Sequence, residues 1–347
     1  MPDLIRAEFS RLFKSRVFYV CLAVSGGIPL FRVFSRSLMM DSMDSYYSNQ
    51  RSQGVQNLMF LFIGLISAVF ISLFVGREIK DGTIRNKIVC GYTRRDIYFS
   101  NLIVCISAVL IFQLAYTLMI AIGYTVVGWR MDSPSSTTKI IHLVGIFVIM
   151  VYCALFLAVT LFQNSQTTAA LVSIVTAVIL MIFGQSVYQT VYSINLLDIG
   201  SQENSSFVYA GGAGTTVFIV SDYNQPEGYK GFFDKYINEW KTADSALEQY
   251  SEFVESKRGK SLSGAKKGVY LFLSDVLPSC QAEQLNIRGM CFDPIAQQYV
   301  DDGIDFSSFT KIPVVPKRWA VYIISDIIMS VLISLVGYLL FERKDVN

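Results

Sequence analysis

The chain has 347 residues, of which 52% are hydrophobic and only 16% charged, and its mean hydropathy is +0.44. Soluble globular domains carry about 25% charged residues, so this composition excludes an ordinary soluble protein and places the chain in a lipid bilayer. The formal net charge of +2 says little about partners, because such charges are sorted by side of the membrane; no nucleic-acid partner is expected.

Residues 3–15, DLIRAEFSRLFKS, place Leu4, Ile5, Phe9, Leu12 and Phe13 on one helical face and Arg6, Arg11 and Lys14 on the other. Residues 1–16 therefore read as an amphipathic helix lying in the inner interface. A first span follows at about 17–34, interrupted by Gly26, Gly27 and Pro29, where a kink or early exit is expected. A charged segment precedes this apolar run and no small-residue cleavage pattern follows it, so no cleavable signal peptide is expected. Residues 35–57 are polar and form a first outer loop. The second span, about 58–75, is uncharged and just long enough for a hydrocarbon core of roughly 30 Å.

The loop at 76–101, GREIKDGTIRNKIVCGYTRRDIYFSN, is compact, charged and well punctuated. Asp81-Gly82 is a turn dipeptide, Thr83 is an N-cap candidate for a short helix to about Ile88, and Gly91 stands where a helix C-terminal glycine belongs. Thr93 and Asp96 then form an approximate capping box for a helix running unbroken into the apolar stretch at Leu102. The loop holds Arg77, Lys80, Arg85, Lys87, Arg94 and Arg95 against Glu78, Asp81 and Asp96, and a net-basic short loop is normally cytoplasmic. Two readings stand on the residues alone: a charged loop that only fixes topology, or a coupling element.

The third span, about 102–128, exceeds the bilayer core, so it tilts or protrudes; Tyr124 and Trp129 near its outer end fit an interfacial belt. After a short outer loop with Pro134, spans four (about 140–162) and five (about 169–192) flank the uncharged turn QNSQTT, 163–168, and form a tight antiparallel hairpin. Residues 195–318 change regime, with 12 Lys or Arg against 16 Asp or Glu, and are long enough for a separate module of mixed α/β or mainly helical character. Within it Tyr229 to Val254 looks helical, the glycines at 211, 212 and 214 read as a loop, and VYLFLSDVL at 269–277 as a short apolar element. The sixth span, about 319–341, opens with Trp319 and Tyr322 and ends in ERKD within the tail to 347. The expected fold is thus an all-α polytopic membrane protein with six transmembrane helices, spans one to five within 17–194, both termini cytoplasmic and the 195–318 module extracellular.

The 76–101 loop resembles the one after the second span in ABC transporter permeases of the type-2 exporter family. The resemblance rests on Arg77-Glu78, Gly82-Thr83, Ile84-Arg85-Asn86-Lys87, Gly91 and the Arg94/Arg95-Ile97-Tyr98 entry into the third span. LFQNSQTTAA at 161–170 resembles that family's tight inner turn, and DVLPSCQAEQL at 275–285 a motif of members from Gram-positive bacteria. The resemblance implies that Glu78, Gly82, Thr83, Ile84, Arg85 and Lys87 belong to a coupling helix resting on an ATPase subunit, with the N-terminal helix flanking it; otherwise that helix is a simple anchor. It further implies a second permease copy or paralogous permease, two ABC ATPase subunits, no cofactor on this chain, and ATP and magnesium on the ATPase. Cargo would be a hydrophobic or amphipathic molecule such as an antimicrobial peptide, lipid or drug, exported across a bacterial plasma membrane.

No catalytic set is found, so the chain is not expected to be an enzyme. Gly259-Lys260-Ser261 lacks the leading glycine of a phosphate loop, since position 254 is Val. His142 is the only histidine, which rules out a HExxH site or a Ser-His-Asp triad within the chain. Asn204-Ser205-Ser206 is a formal glycosylation sequon. Cys21, Cys105 and Cys153 lie in apolar runs as small packing residues and Cys90 faces a reducing cytoplasm, whereas Cys280 and Cys291, both in the outer module, are a candidate disulfide. Asp326 lies seven residues into the sixth span, where an acid is costly, and reads either as a path or interface residue or as a hydrated residue under the outer module. A competing function is a sensor or immunity protein whose outer module binds an antimicrobial peptide without transport and without an ATPase partner.

Overall fold

The computed structural model of the chain describes residues 2–38, 58–127, 136–200, 205–210, 216–221, 265–287 and 319–343. Its helices are α1 (Pro2–Lys14), α2 (Arg16–Leu38), α3 (Leu58–Lys80), α4 (Thr83–Val89), α5 (Arg94–Val127), α6 (Ser136–Phe162), α7 (Gln166–Gly200), α8 (Ala265–Val276), α9 (Pro278–Ile287) and α10 (Trp319–Arg343). Six of them contain segments long and apolar enough to cross a membrane: 16–35, 62–80, 94–127, 142–162, 166–188 and 319–343. The six expected spans are therefore all present. Strands β1 (Ser205–Ala210) and β2 (Thr216–Ser221) pair antiparallel, with Ser205 opposite Ser221 and Ala210 opposite Thr216.

The chain divides into two compact units: Met1–Ser186 with Ser274–Met290 and Arg318–Asn347, and Val187–Leu273 with Cys291–Lys317. In the first unit α5 packs against α2, and α6 lies between α3 and α10. At 34 residues α5 is about 51 Å long by the helical rise, well beyond a 30 Å core. Its N-terminal turns extend into the connection from α3, and there α1 packs on it. Phe112 joins the layers, its ring 5.5 Å from Phe18 and edge-on to Phe70 at 5.2 Å. On the other side α10 approaches α6 so closely that a Cβ at Gly337 would stand 2.6 Å from Ala158 Cβ and 2.7 Å from the Tyr98 hydroxyl. Small residues at a membrane helix crossing allow this approach.

Several local expectations change. The helix α2 continues through Pro29 to Leu38 rather than exiting early. Ser165 caps α7, its Oγ accepting from Thr168 N at 3.1 Å, so the 163–168 turn shortens to 163–165 and Gln166 already belongs to the helix. The Gln166 side chain donates to Leu73 O at 3.3 Å and lies against Gly76, which fastens this turn beside the end of α3. The apolar run at 269–277 is helical through Val276, the end of α8. Residues 274–290, inside the 195–318 stretch expected to be one module, belong to the first unit: α9 packs on α3 and α6 and buries Cys280, Ala282 and Leu285. Ser279, Gln281 and Glu283 are buried with them, so α9 is enclosed on all sides rather than along one apolar stripe. Cys291, the 229–254 helix, the 211–214 glycines, Lys260 and Asn204 lie outside the described residues.

Candidate functional site: a buried charge hub at the α3–α4 connection

The chain turns from α3 into α4 on one glycine. Gly82, at φ 65°, receives the left-handed position that ends α3, with its N–H donating to Ile79 O at 3.3 Å. Its carbonyl at once accepts the first bond of α4, from Asn86 N at 3.2 Å. The N-cap is therefore Gly82, with no side-chain cap, and Thr83 is the first helical residue rather than the cap expected from sequence. At the other end Gly91, at φ 90°, closes α4 with two bonds, Gly91 N to Ile88 O (3.0 Å) and Tyr92 N to Lys87 O (3.2 Å). This is a Schellman ending. Thr93 caps α5 as expected, its Oγ1 accepting from Asp96 N at 3.1 Å, but the return bond of the box runs from the Thr93 hydroxyl to the Asp96 carboxylate at 2.7 Å rather than from the Thr93 backbone N–H. A seven-residue helix is thus held between two glycine-defined corners and leads directly into a span.

Beneath α4, four charged side chains from three helices converge. Glu78, at the end of α3, has a side chain with 0% exposure and accepts from Lys87 Nζ of α4 at 2.6 Å. Arg11 of α1 pairs with Glu78 and also with Glu8 at 2.7 Å, and Lys87 pairs with Glu8 as well. Asn101 of α5 completes the set, donating through Nδ2 to Glu78 at 3.2 Å and accepting from Arg11 at 3.4 Å. The Arg11 guanidinium lies over the Phe74 ring at 4.1 Å. Two carboxylates and two cations balance. Burial lowers the Arg11 and Lys87 pKa values from their ordinary range, and the adjacent Glu8 carboxylate opposes that fall in both.

The expected coupling residues therefore divide by direction. Glu78 and Lys87 point inward as members of the hub, and Ile84 is buried as the apolar anchor of α4. Gly82 and Thr83 are half-buried at the corner, and Arg85 faces outward together with Asn86, Cys90 and Val89, the last 80% exposed. Glu8, Arg11 and Asn101 were not singled out by the sequence pattern, and Arg11 had been placed on the outer polar face. The signal was present: Glu8 stands between Leu4 and Leu12 at four-residue spacing, a charge on the face that buries. A second tie reaches the last span, where Arg94 Nη1 donates to the Phe341 and Glu342 carbonyls at 2.8 and 2.9 Å and so caps α10.

Asp326 is not part of this hub. It is buried in α10 at 1% exposure, and neither carboxylate oxygen has a hydrogen-bond partner among the described residues. Cys280 is buried in α9; its pairing with Cys291 falls outside the described residues. Among these residues no group of three or more His, Cys, Asp or Glu is arranged to hold a metal ion.

A family model described as "ABC-2 family transporter protein" matches residues 4–184, just over half of the chain, taking in the hub, α4, the first four spans and most of the fifth. No curated protein matches the chain, and no solved structure does.

Proposed function

The chain belongs to the ABC-2 family of transporter membrane proteins, a multi-pass permease component of an ABC transporter that works with ABC ATPase subunits, and from that premise we propose that α4 is its coupling helix. The chain would serve an exporter of hydrophobic or amphipathic molecules in a bacterial plasma membrane. It would act with a second permease copy or paralogue, while ATP and magnesium are bound by the ATPase. On this reading α1, α4 and both termini lie on the cytoplasmic side and the 195–318 stretch is largely extracellular.

The observation that carries the reading is the charge hub. A displacement applied to α4 from outside meets Lys87 tied to Glu8 and Glu78, and so reaches α1 and α3 together; Asn101 passes it to α5. The outward residues Arg85, Asn86 and Val89 supply a contact face of mixed polarity for the ATPase groove. Closure of the ATPase dimer would then move α1 and these span ends as one body.

The test is co-expression with a cognate ABC ATPase, comparing wild type with Arg85→Glu combined with Val89→Asp. Both positions face outward, so the variant folds normally but is expected to lose the ATPase on purification or to uncouple its hydrolysis from substrate. Unchanged association and coupling would remove α4 from the interface. If no ATPase associates with wild type either, the sensor or immunity reading takes its place.

A further inference from the structure

The sixth-span helix turns a polar seam inward: Tyr322, Asp326, Ser330 and Ser334 recur every four residues and are all buried. At one end of the seam α9 brings Gln281, itself fully buried, beside Ser325. The Gln281 amide orientation is fixed by its contacts, because Nε2 donates to the Asp275 carbonyl at 2.6 Å and to Ser325 Oγ at 3.2 Å. Both donors are then used, and Oε1 has no partner among the described residues. Neither Asp326 oxygen meets a donor at hydrogen-bond geometry among the described residues; the one polar side chain acting on its carboxyl is the neutral Gln281 amide. Glu283, two residues along α9 from Gln281, is a second buried carboxyl. Among the described residues no ion pair reaches Asp326.

One helical turn along the seam, about 6 Å from Asp326 by the helical rise, Ser330 enters a cleft of about 280 Å³. Leu102, Ile106, Met150 and Ala154 supply its apolar walls, and Ser330 and Ser334 its polar edge. Ligand pockets run from roughly 300 to 1,000 Å³, so this one takes a slender apolar chain rather than a broad ring system.

We infer that the seam binds an amphipathic cation, a protonated primary amine seated between Asp326 and Gln281 Oε1 with its apolar body in the adjoining cleft. Charge complementarity selects this occupant. An ammonium offers three donors to unpartnered acceptors, and an acid held within a span is costly enough to require a partner. A neutral lipid tail or a helix of a second copy would fill the cleft yet leave the carboxylate unanswered. The inference narrows the substrate class of the exporter reading and rests on that reading for its transport role, though not for binding itself.

The experiment uses the full chain in nanodiscs of zwitterionic lipid, titrated with a dansyl-labelled alkyl chain that ends in a primary amine, and with its N-acetylated counterpart. Wild type is expected to bind the amine at least tenfold more tightly than the acetylated probe. Asp326→Asn should erase that preference without changing affinity for the acetylated probe, and Ala154→Phe, which fills the cleft and leaves the acid intact, should weaken both. Equal affinity of wild type for the two probes overturns the proposal, as a lipid groove or a proton-only site would give. So does an amine preference that survives Asp326→Asn. Should that variant fail to fold, unchanged amine binding by Ala154→Phe is equally fatal. ATPase association is followed in parallel: amine selectivity without an associated ATPase keeps the site and removes its export role, whereas association without selectivity does the reverse.

Discussion

Glu78→Gln is the substitution that most directly tests the charge hub. The Glu78 side chain has 0% exposure and faces Arg11, Lys87 at 2.6 Å and Asn101 at 3.2 Å. Glutamine keeps the volume and an acceptor for Asn101 but leaves Arg11 and Lys87 sharing Glu8 alone. Removing one member of a buried ion pair costs about 3–5 kcal/mol, mostly through the charge left behind. Arg11 retains 30% side-chain exposure and Lys87 11%, so water relieves part of the excess and the lower end, about 3 kcal/mol, is expected. Adding Lys87→Met returns the hub to one cation and one anion. The double variant should then be no less stable than Glu78→Gln by more than about 1 kcal/mol, a coupling of about 2 kcal/mol in the cycle. Chemical unfolding in mixed micelles measures both numbers. A Glu78→Gln variant within 1 kcal/mol of wild type, or two strictly additive changes, would refute the charge balance.

Three other outcomes follow from the geometry. Gly337→Ala should lower stability by about 1–3 kcal/mol through overpacking against Ala158 and the Tyr98 hydroxyl, and Ala158→Gly combined with Tyr98→Phe in the same chain should restore more of it than either change alone, read by thermal unfolding. Arg94→Gln, which removes the cation from the Phe341 and Glu342 carbonyls, should cost about 0.3–1 kcal/mol and speed hydrogen exchange in the last turn of α10 while leaving its centre protected. Burial pushes the Glu283 carboxyl from 4.5 up to about 7, so the folded chain keeps a proton that the unfolded chain gives up. Its stabilisation is complete below about pH 4.5 and is lost as pH rises through about 7, amounting to no more than about 3 kcal/mol. Glu283→Gln should flatten that decline in the unfolding midpoint, and an unchanged pH profile would contradict it.

The spans and the corners of α4 were legible in the sequence because local chemistry determines them. Uninterrupted apolar runs set the spans, and Gly91 and the Thr93–Asp96 pair act through bonds to residues at most four positions away. The hub was only half legible for the opposite reason. Glu78 meets Arg11 across 67 positions and Asn101 across 23, and such pairings depend on helix rotation that no single-segment pattern fixes. Arg11 shows the limit: its long stem let it leave the expected polar face and reach Glu78 over the Phe74 ring. Likewise the polar composition of 278–287 placed it in the outer module with the rest of 195–318, whereas α9 packs against α3 and α6 with polar and apolar side chains both buried.

These two kinds of contact explain how one short helix can bias a bundle of long ones. The hub joins α4 to α1, α3 and α5, but α10 touches none of its members through the described ion pairs. Arg94 closes that gap, since it sits two residues after the end of the Schellman turn and holds the final carbonyls of α10. α10 in turn packs along α6 at Gly337, and its seam reaches Asp326. A shift of α4 thus has a continuous rigid route to the acid, through a hydrogen-bonded cap and a crossing too tight to slide. The decisive comparison is amine affinity with the ATPase held in its ATP-bound and nucleotide-free states. A difference that disappears in Arg94→Gln while ATPase association persists would assign the route to this cap, and a difference that persists would assign it to the α3–α6 packing instead.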